Sequence, residues 1–133
     1  MGPSAATEPH ESKVWHLAWA LREAWSAETS ADEHWSPEQP SLGQCAVTAL
    51  VVQDHLGGKL VRAEVDGVSH YWNRLPDGTE IDLTRDQFAR FSPGRVETRS
   101  REYVLSFPET ARRYHILGER FAQRDAAMRP VPS

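Results

Sequence analysis

The sequence predicts an α+β domain in which a central helix near the N-terminal side, carrying Cys45, packs on a small antiparallel sheet with further helices on its flanks. Three observations carry that prediction. Residues 44–56 form an apolar run with helical spacing, closed by Gly57-Gly58. Residues 59–84 alternate β-prone segments with two turn signals, "DG" and "PDG". Amphipathic helical patterns stand on both sides, in "SKVWHLAWALREAWS" and "FPETARRYHILGERFAQRDAAM".

In chain order, residues 1–11 read as a disordered leader and 129–133 as a tail, leaving one domain over 12–128. Val14, Leu17, Ala18, Leu21, Ala24 and Trp25 share one face of the first helix, with Ser12 as its cap. "AETSADEHWSPEQPS" holds two prolines among polar residues and predicts a long loop. The helix over 44–56 follows, with Ser41 or the backbone at Gly43 as its start. It is so rich in Ala, Val and Leu that burial on all sides is expected. "KLVRAEV", "VSHYWNRL" and "TEIDLT" predict an antiparallel meander. "RDQFARF" predicts a short helix or turn capped by Thr84, and "ETRSREYVLS" a further strand. A C-terminal helix begins near Pro108, with Tyr114, Leu117 and Phe121 on its apolar side.

Composition narrows the function classes. The chain has 133 residues, 39% hydrophobic and 26% charged, which is ordinary for a globular domain. A net charge of -4 argues against general nucleic-acid binding, which needs a positive footprint. No apolar run reaches the length of a membrane span, and the first residues lack the pattern of a secretory signal. A single cysteine excludes an intramolecular disulfide and a multi-cysteine zinc site. The expectation is a cytoplasmic protein without cofactor or metal, acting on a small molecule or a peptide. The five tryptophans are expected to fill the core, with one or two walling a cleft.

Cys45 sits where the 44–56 helix starts. A thiol is a useful nucleophile only as thiolate. A helix N-terminus, a nearby imidazole, and a carboxylate that orients that imidazole all favour this form. The meander offers both partners. "LPDGT" fits a three-residue hairpin loop, a type I turn at Pro76-Asp77 followed by a left-handed Gly78. Leu75 then pairs with Thr79, Trp72 faces Asp82, and His70, Trp72, Asp82 and Thr84 share one face. His70 and Asp82 become diagonal neighbours within reach of a hydrogen bond. A two-residue loop would put them on opposite faces. The site expected is therefore Cys45 as nucleophile, His70 as base and Asp82 as its orienting partner. Asn73 is the rival orienting residue, although alternation turns it away. Gln44 and the backbone N–H of Cys45 are candidate oxyanion donors, and Trp35 and Trp72 candidate cleft walls. Against this stands the ordinary fate of a lone cysteine on a helix of small residues, which is inert packing. A metal site from Cys45, His70 and Asp82 lacks any close His or Cys pair in support.

The segments "GQCAVTALVVQDHLGG", "SHYWNRLPDG" and "EIDLTRDQF" together resemble the small bacterial YunG-like family, as does the earlier "WSAETS". More distantly, Gly43-Gln44-Cys45 resembles the nucleophile segment of papain-like and transglutaminase-like cysteine enzymes. That resemblance implies a helix-borne nucleophile at Cys45, a general base at His70 and an orienting Asp82 on successive strands. Ala46 stands where many transglutaminases carry tryptophan. The reading that follows is an acyl-transfer enzyme, hydrolase or transferase. The alternative is a binding module on a degenerate form of such a fold.

Overall fold

A computed structural model describes residues 4–128, with side chains from Ser12 onward. Helix α1 spans Ser4–Ala24, so it begins ahead of the expected Ser12 cap, and residues 4–11 are helical rather than a disordered leader. Residues 1–3 and the expected tail at 129–133 lie outside the described residues. Helix α2 is Cys45–Leu56, strands β1 Lys59–Val65, β2 Val68–Arg74, β3 Glu80–Ile81 and β4 Glu97–Arg99, and helices α3 Arg101–Leu105 and α4 Pro108–Met128. The α+β class and the helix-on-sheet arrangement are as the sequence predicts.

The sheet is antiparallel in the order β3-β2-β1-β4. Strands β1 and β2 pair along seven positions, from Lys59↔Arg74 to Val65↔Val68, around the two-residue turn Asp66-Gly67. Strand β4 adds to β1 through Leu60↔Arg99 and Arg62↔Glu97. The segment 97–106 is not one strand. Ser100 ends β4 and caps α3, its hydroxyl accepting from the N–H of Tyr103 at 3.1 Å. That cap turns the chain into a helix where apolar content alone reads as extended.

Six consecutive residues of α2, Val47 through Val52, are buried, which explains why its sequence shows no polar face. Leu17, Ala20, Leu21 and Ala24 of α1 meet Val47, Val51 and Val52 of α2 and Leu117 and Phe121 of α4 in the main core. On the other side of α2, Ala49 and Leu50 pack on Leu60 and Val104. The far face of the sheet carries its own cluster of Val61, Ala63 and Trp72, covered by Phe91. The tryptophans do not all enter the core: Trp25 and Trp72 are buried, Trp35 is half-buried, and Trp15 and Trp19 are 75% and 56% exposed on α1. Among the described residues no helix is long and apolar enough to cross a membrane.

Candidate active site at the start of helix α2

Strand β2 and the turn after it set the first half of the site. The N–H of Leu75 donates to the Thr79 carbonyl at 2.7 Å and that of Gly78 to the Leu75 carbonyl at 2.9 Å, with Gly78 at φ +92°. This is the three-residue loop, and it yields the pairs Asn73↔Ile81 and Arg74↔Glu80. Asp82 lies one residue past β3 yet keeps the face that this register gives it. Its Oδ2 is 2.6 Å from Nε2 of His70. Its Oδ1 accepts from the Thr84 N–H at 3.2 Å and the Thr84 hydroxyl at 3.3 Å. Thr84, expected as a helix cap, makes no side-chain cap to the 3-10 turn Arg85–Gln87 and instead fixes the carboxylate.

The His70 ring is 0% exposed. Trp72 stacks on it at a centroid distance of 5.6 Å, and Phe88 and Phe91 meet it edge-on at 4.8 and 5.9 Å. Burial disfavours the charged ring, but the Asp82 hydrogen bond, followed by the Cys45 thiol, overcomes it and raises the His70 pKa to about 9. With Nε2 held by Asp82, the second ring nitrogen, Nδ1, is buried without a hydrogen-bond partner of regular geometry.

Cys45 is the first residue of α2 and is half-buried. The first-turn N–H groups of a helix lack intrahelical acceptors and carry partial positive charge, so an anion placed there is favoured. The thiol donates to the Ser69 carbonyl at 3.8 Å, which brings the helix start against β2 beside His70. Because β3 pairs only with Asn73 and Arg74, it leaves that part of β2 free of a strand neighbour on its side. Gly43 sets the approach of the chain. It has φ +72°, and a Cβ there would meet Ser30 Oγ and lie 2.6 Å from the Asp32 nitrogen. The Gly43 N–H donates to Oε1 of Gln87 at 3.2 Å, and Nε2 of Gln87 donates to the Thr84 carbonyl at 3.1 Å. One amide thus ties the segment before Cys45 to the segment after Asp82.

Four expected site residues have other duties. Gln44 is buried, its Oε1 accepting from the Thr29 hydroxyl at 2.8 Å and its Nε2 donating to the Ser26 carbonyl at 3.0 Å. It anchors the loop after α1 and, fully buried, offers no surface to a substrate oxygen, so the expected oxyanion role is corrected. Asn73 lies on the opposite face and donates to the Ala49 carbonyl at 2.9 Å, as a strut to α2. Trp35 is tied to its own loop by an indole hydrogen bond to the Pro40 carbonyl at 2.9 Å. Trp72 supports the His70 ring and donates to Glu80 at 2.9 Å. Buried as it is, Trp72 is no cleft wall. Among the described residues no group of three or more His, Cys, Asp and Glu has a metal-binding arrangement.

A cavity of about 320 Å³ lies on the α2 side of the sheet, lined by Ala46 next to Cys45 and by Ser69, with Arg62, Tyr71, Arg99, Tyr103 and Phe107 further out. Sequence reasoning missed it. The usable signal was the cross-strand pair Arg62↔Tyr71, which alternation puts on one face. Placing Arg99 and Tyr103 required seeing the β4–α3 junction.

Fold and site together define a class: an α+β domain with a helix-borne cysteine facing a buried histidine–carboxylate pair. The YunG family model, described as "YunG protein", matches residues 13–126, and the chain belongs to that family. A relative from Bacillus subtilis (strain 168), "Uncharacterized protein YunG", is 42% identical over 73 residues, covering 55% of this chain and 61% of the relative. No solved structure matches this chain at a significant level.

Proposed function

We propose that the protein is a cysteine-dependent acyl-transfer enzyme, hydrolysing or exchanging an amide or ester through a thioester on Cys45. The observation that supports this best is the buried His70 ring, fixed at Nε2 by Asp82 and raised in pKa by both Asp82 and Cys45. With Asp82 holding Nε2, the opposite ring nitrogen is the one that takes the thiol proton as the sulfur attacks. The Cys45 sulfur attacks the carbonyl carbon and forms the C–S bond. The carbonyl oxygen takes the negative charge beside the first-turn N–H groups of α2. His70 gives its proton to the leaving nitrogen or oxygen as that bond breaks. Water or an amine then attacks the thioester, loses its proton to His70, and expels the Cys45 thiolate. Asp82 is a positioning residue: it holds the ring and stabilises its charge. A reduced cytoplasm suits the single free thiol.

Iodoacetamide labelling at pH 6 tests the nucleophile. Cys45 should react faster than a small-molecule thiol by on the order of tenfold or more. Turnover of an activated ester should fall at least about 10³-fold in Cys45→Ser, with thermal unfolding little changed. A thiol that labels slowly, with ester turnover equal in the variant, would sink the proposal. That outcome selects the second reading, a binding module, which the thiol's hydrogen bond to the Ser69 carbonyl favours.

A further inference from the structure

We propose that the cavity beside Cys45 is the acyl-donor subsite and that it selects small substrates carrying a carboxylate next to an apolar or aromatic group. This rests on the nucleophile reading above and adds the substrate class to it. Four observations support it.

The cavity and the nucleophile adjoin. Ala46 follows Cys45 in the chain, and Ser69 accepts the thiol through its carbonyl; both line the space. Tyr71, also in the lining, responds to the same neighbourhood. Its phenol is pushed up first by burial and by Tyr103, held back by Arg99 and Arg62, and pushed up further by the charge of Cys45. The sulfur and the two guanidinium groups therefore act on one side chain.

The lining contains two cations and no acid. Glu97 stands beside both arginines, 2.8 Å from Arg99 and 3.8 Å from Arg62, but does not line the space. Two guanidinium groups against one carboxylate leave a net positive charge. Each guanidinium carries five N–H donors in a planar fork, more than Glu97 can accept.

The arginines are held rather than free. Nε of Arg62 donates to the Ser69 hydroxyl at 2.9 Å. The Arg99 guanidinium lies 5.6 Å from the centre of the Tyr103 ring. Such restraint lowers the entropy lost when a carboxylate is gripped.

The remaining wall is aromatic. Tyr103 and Phe107 are 47% and 50% exposed and meet edge-on at 5.4 Å. Two exposed rings beside two arginines fit a ligand with an apolar body and an anionic end. At about 320 Å³ the cavity falls near the small end of ligand pockets, the size of a short acyl group or a single residue.

Paired alkylating reagents test this without a known substrate. Iodoacetate and iodoacetamide deliver the same carbon to sulfur but differ in charge. In the wild-type protein iodoacetate should label Cys45 faster than iodoacetamide, reversing the order shown by a free thiol. The ratio of the two rates should fall on the order of tenfold when NaCl rises from about 0.01 to 1 M, because screening shortens the reach of the arginines. A similar fall is expected in the double variant Arg62→Gln/Arg99→Gln. The salt series needs no variant and stands even if the double variant folds poorly. Fast iodoacetamide labelling, with an iodoacetate ratio no higher than that of a free thiol and insensitive to salt, overturns the carboxylate subsite and leaves the nucleophile intact. Slow labelling by both reagents at every salt concentration overturns the nucleophile reading and this inference with it.

Discussion

The two hairpins of the sheet share strand β2 but differ in what they do. The first closes through the two-residue turn Asp66-Gly67 and pairs along seven positions. The second closes through three residues, Pro76-Asp77-Gly78, and pairs at only two positions. The long pairing makes a rigid strand to carry His70. The short pairing releases the chain early, so Asp82 can turn under the ring and Cys45 can reach the part of β2 left unpaired on that side. One hairpin provides rigidity and the other provides an opening, and the site needs both.

Converting the second loop to the length of the first should have the largest effect. Deleting Pro76 shifts the register by one and moves Asp82 to the other face. Ester turnover should fall on the order of 10²–10⁴-fold, the usual contribution of a positioned acid–base group. Asp82→Asn should give a loss of similar size with the hairpin intact. In both proteins the His70 pKa, followed by NMR, should drop from about 9 toward 6.5. A His70 titration unchanged in Asp82→Asn would break the comparison.

The same pair predicts how stability depends on pH. His70 has a folded pKa of about 9, above its ordinary 6.5. Its contribution is therefore present in full below 6.5 and is lost as pH rises through about 9. Urea unfolding across that window should show wild-type stability declining more steeply than that of Asp82→Asn. Equal slopes would show that Asp82 is not the group holding the proton.

The smallest effects separate the turns themselves. Asp66 at φ +53° and Gly78 at φ +92° both occupy the left-handed region. Asp66→Val and Gly78→Ala should each cost on the order of 1 kcal/mol in denaturant unfolding. Only Gly78→Ala should also slow turnover, because only that turn sets the position of Asp82. Equal loss of turnover in both would erase the functional difference between the hairpins.

Much of this geometry was legible because it is local. The loop "LPDGT" fixes a register, alternation fixes faces, and His70 and Asp82 follow from those two rules. The buried character of α2 was visible in its lack of a polar face. The helical start at Ser4 and the β4–α3 junction were not, since a short cap such as Ser100 outweighs an apolar pattern that reads equally well as strand. Gln44 was misread for a different reason. Its neighbour in sequence is Cys45, but its amide is claimed by Thr29 and Ser26, fifteen and eighteen residues away. The cavity draws its walls from α2, β1, β2, β4, α3 and the start of α4 with the turn before it, and no single stretch of sequence contains its pattern.

The amide of Gln87 has a wider consequence. It spans 44 positions to Gly43 while also holding Thr84, the residue that steadies Asp82. The segment before Cys45 and the segment after Asp82 therefore share one fastener. A displacement of either is carried to the other, so the cysteine and the carboxylate keep their spacing as a unit. Changes that loosen residues 82–88 would be felt at the sulfur even if nothing touching it were altered.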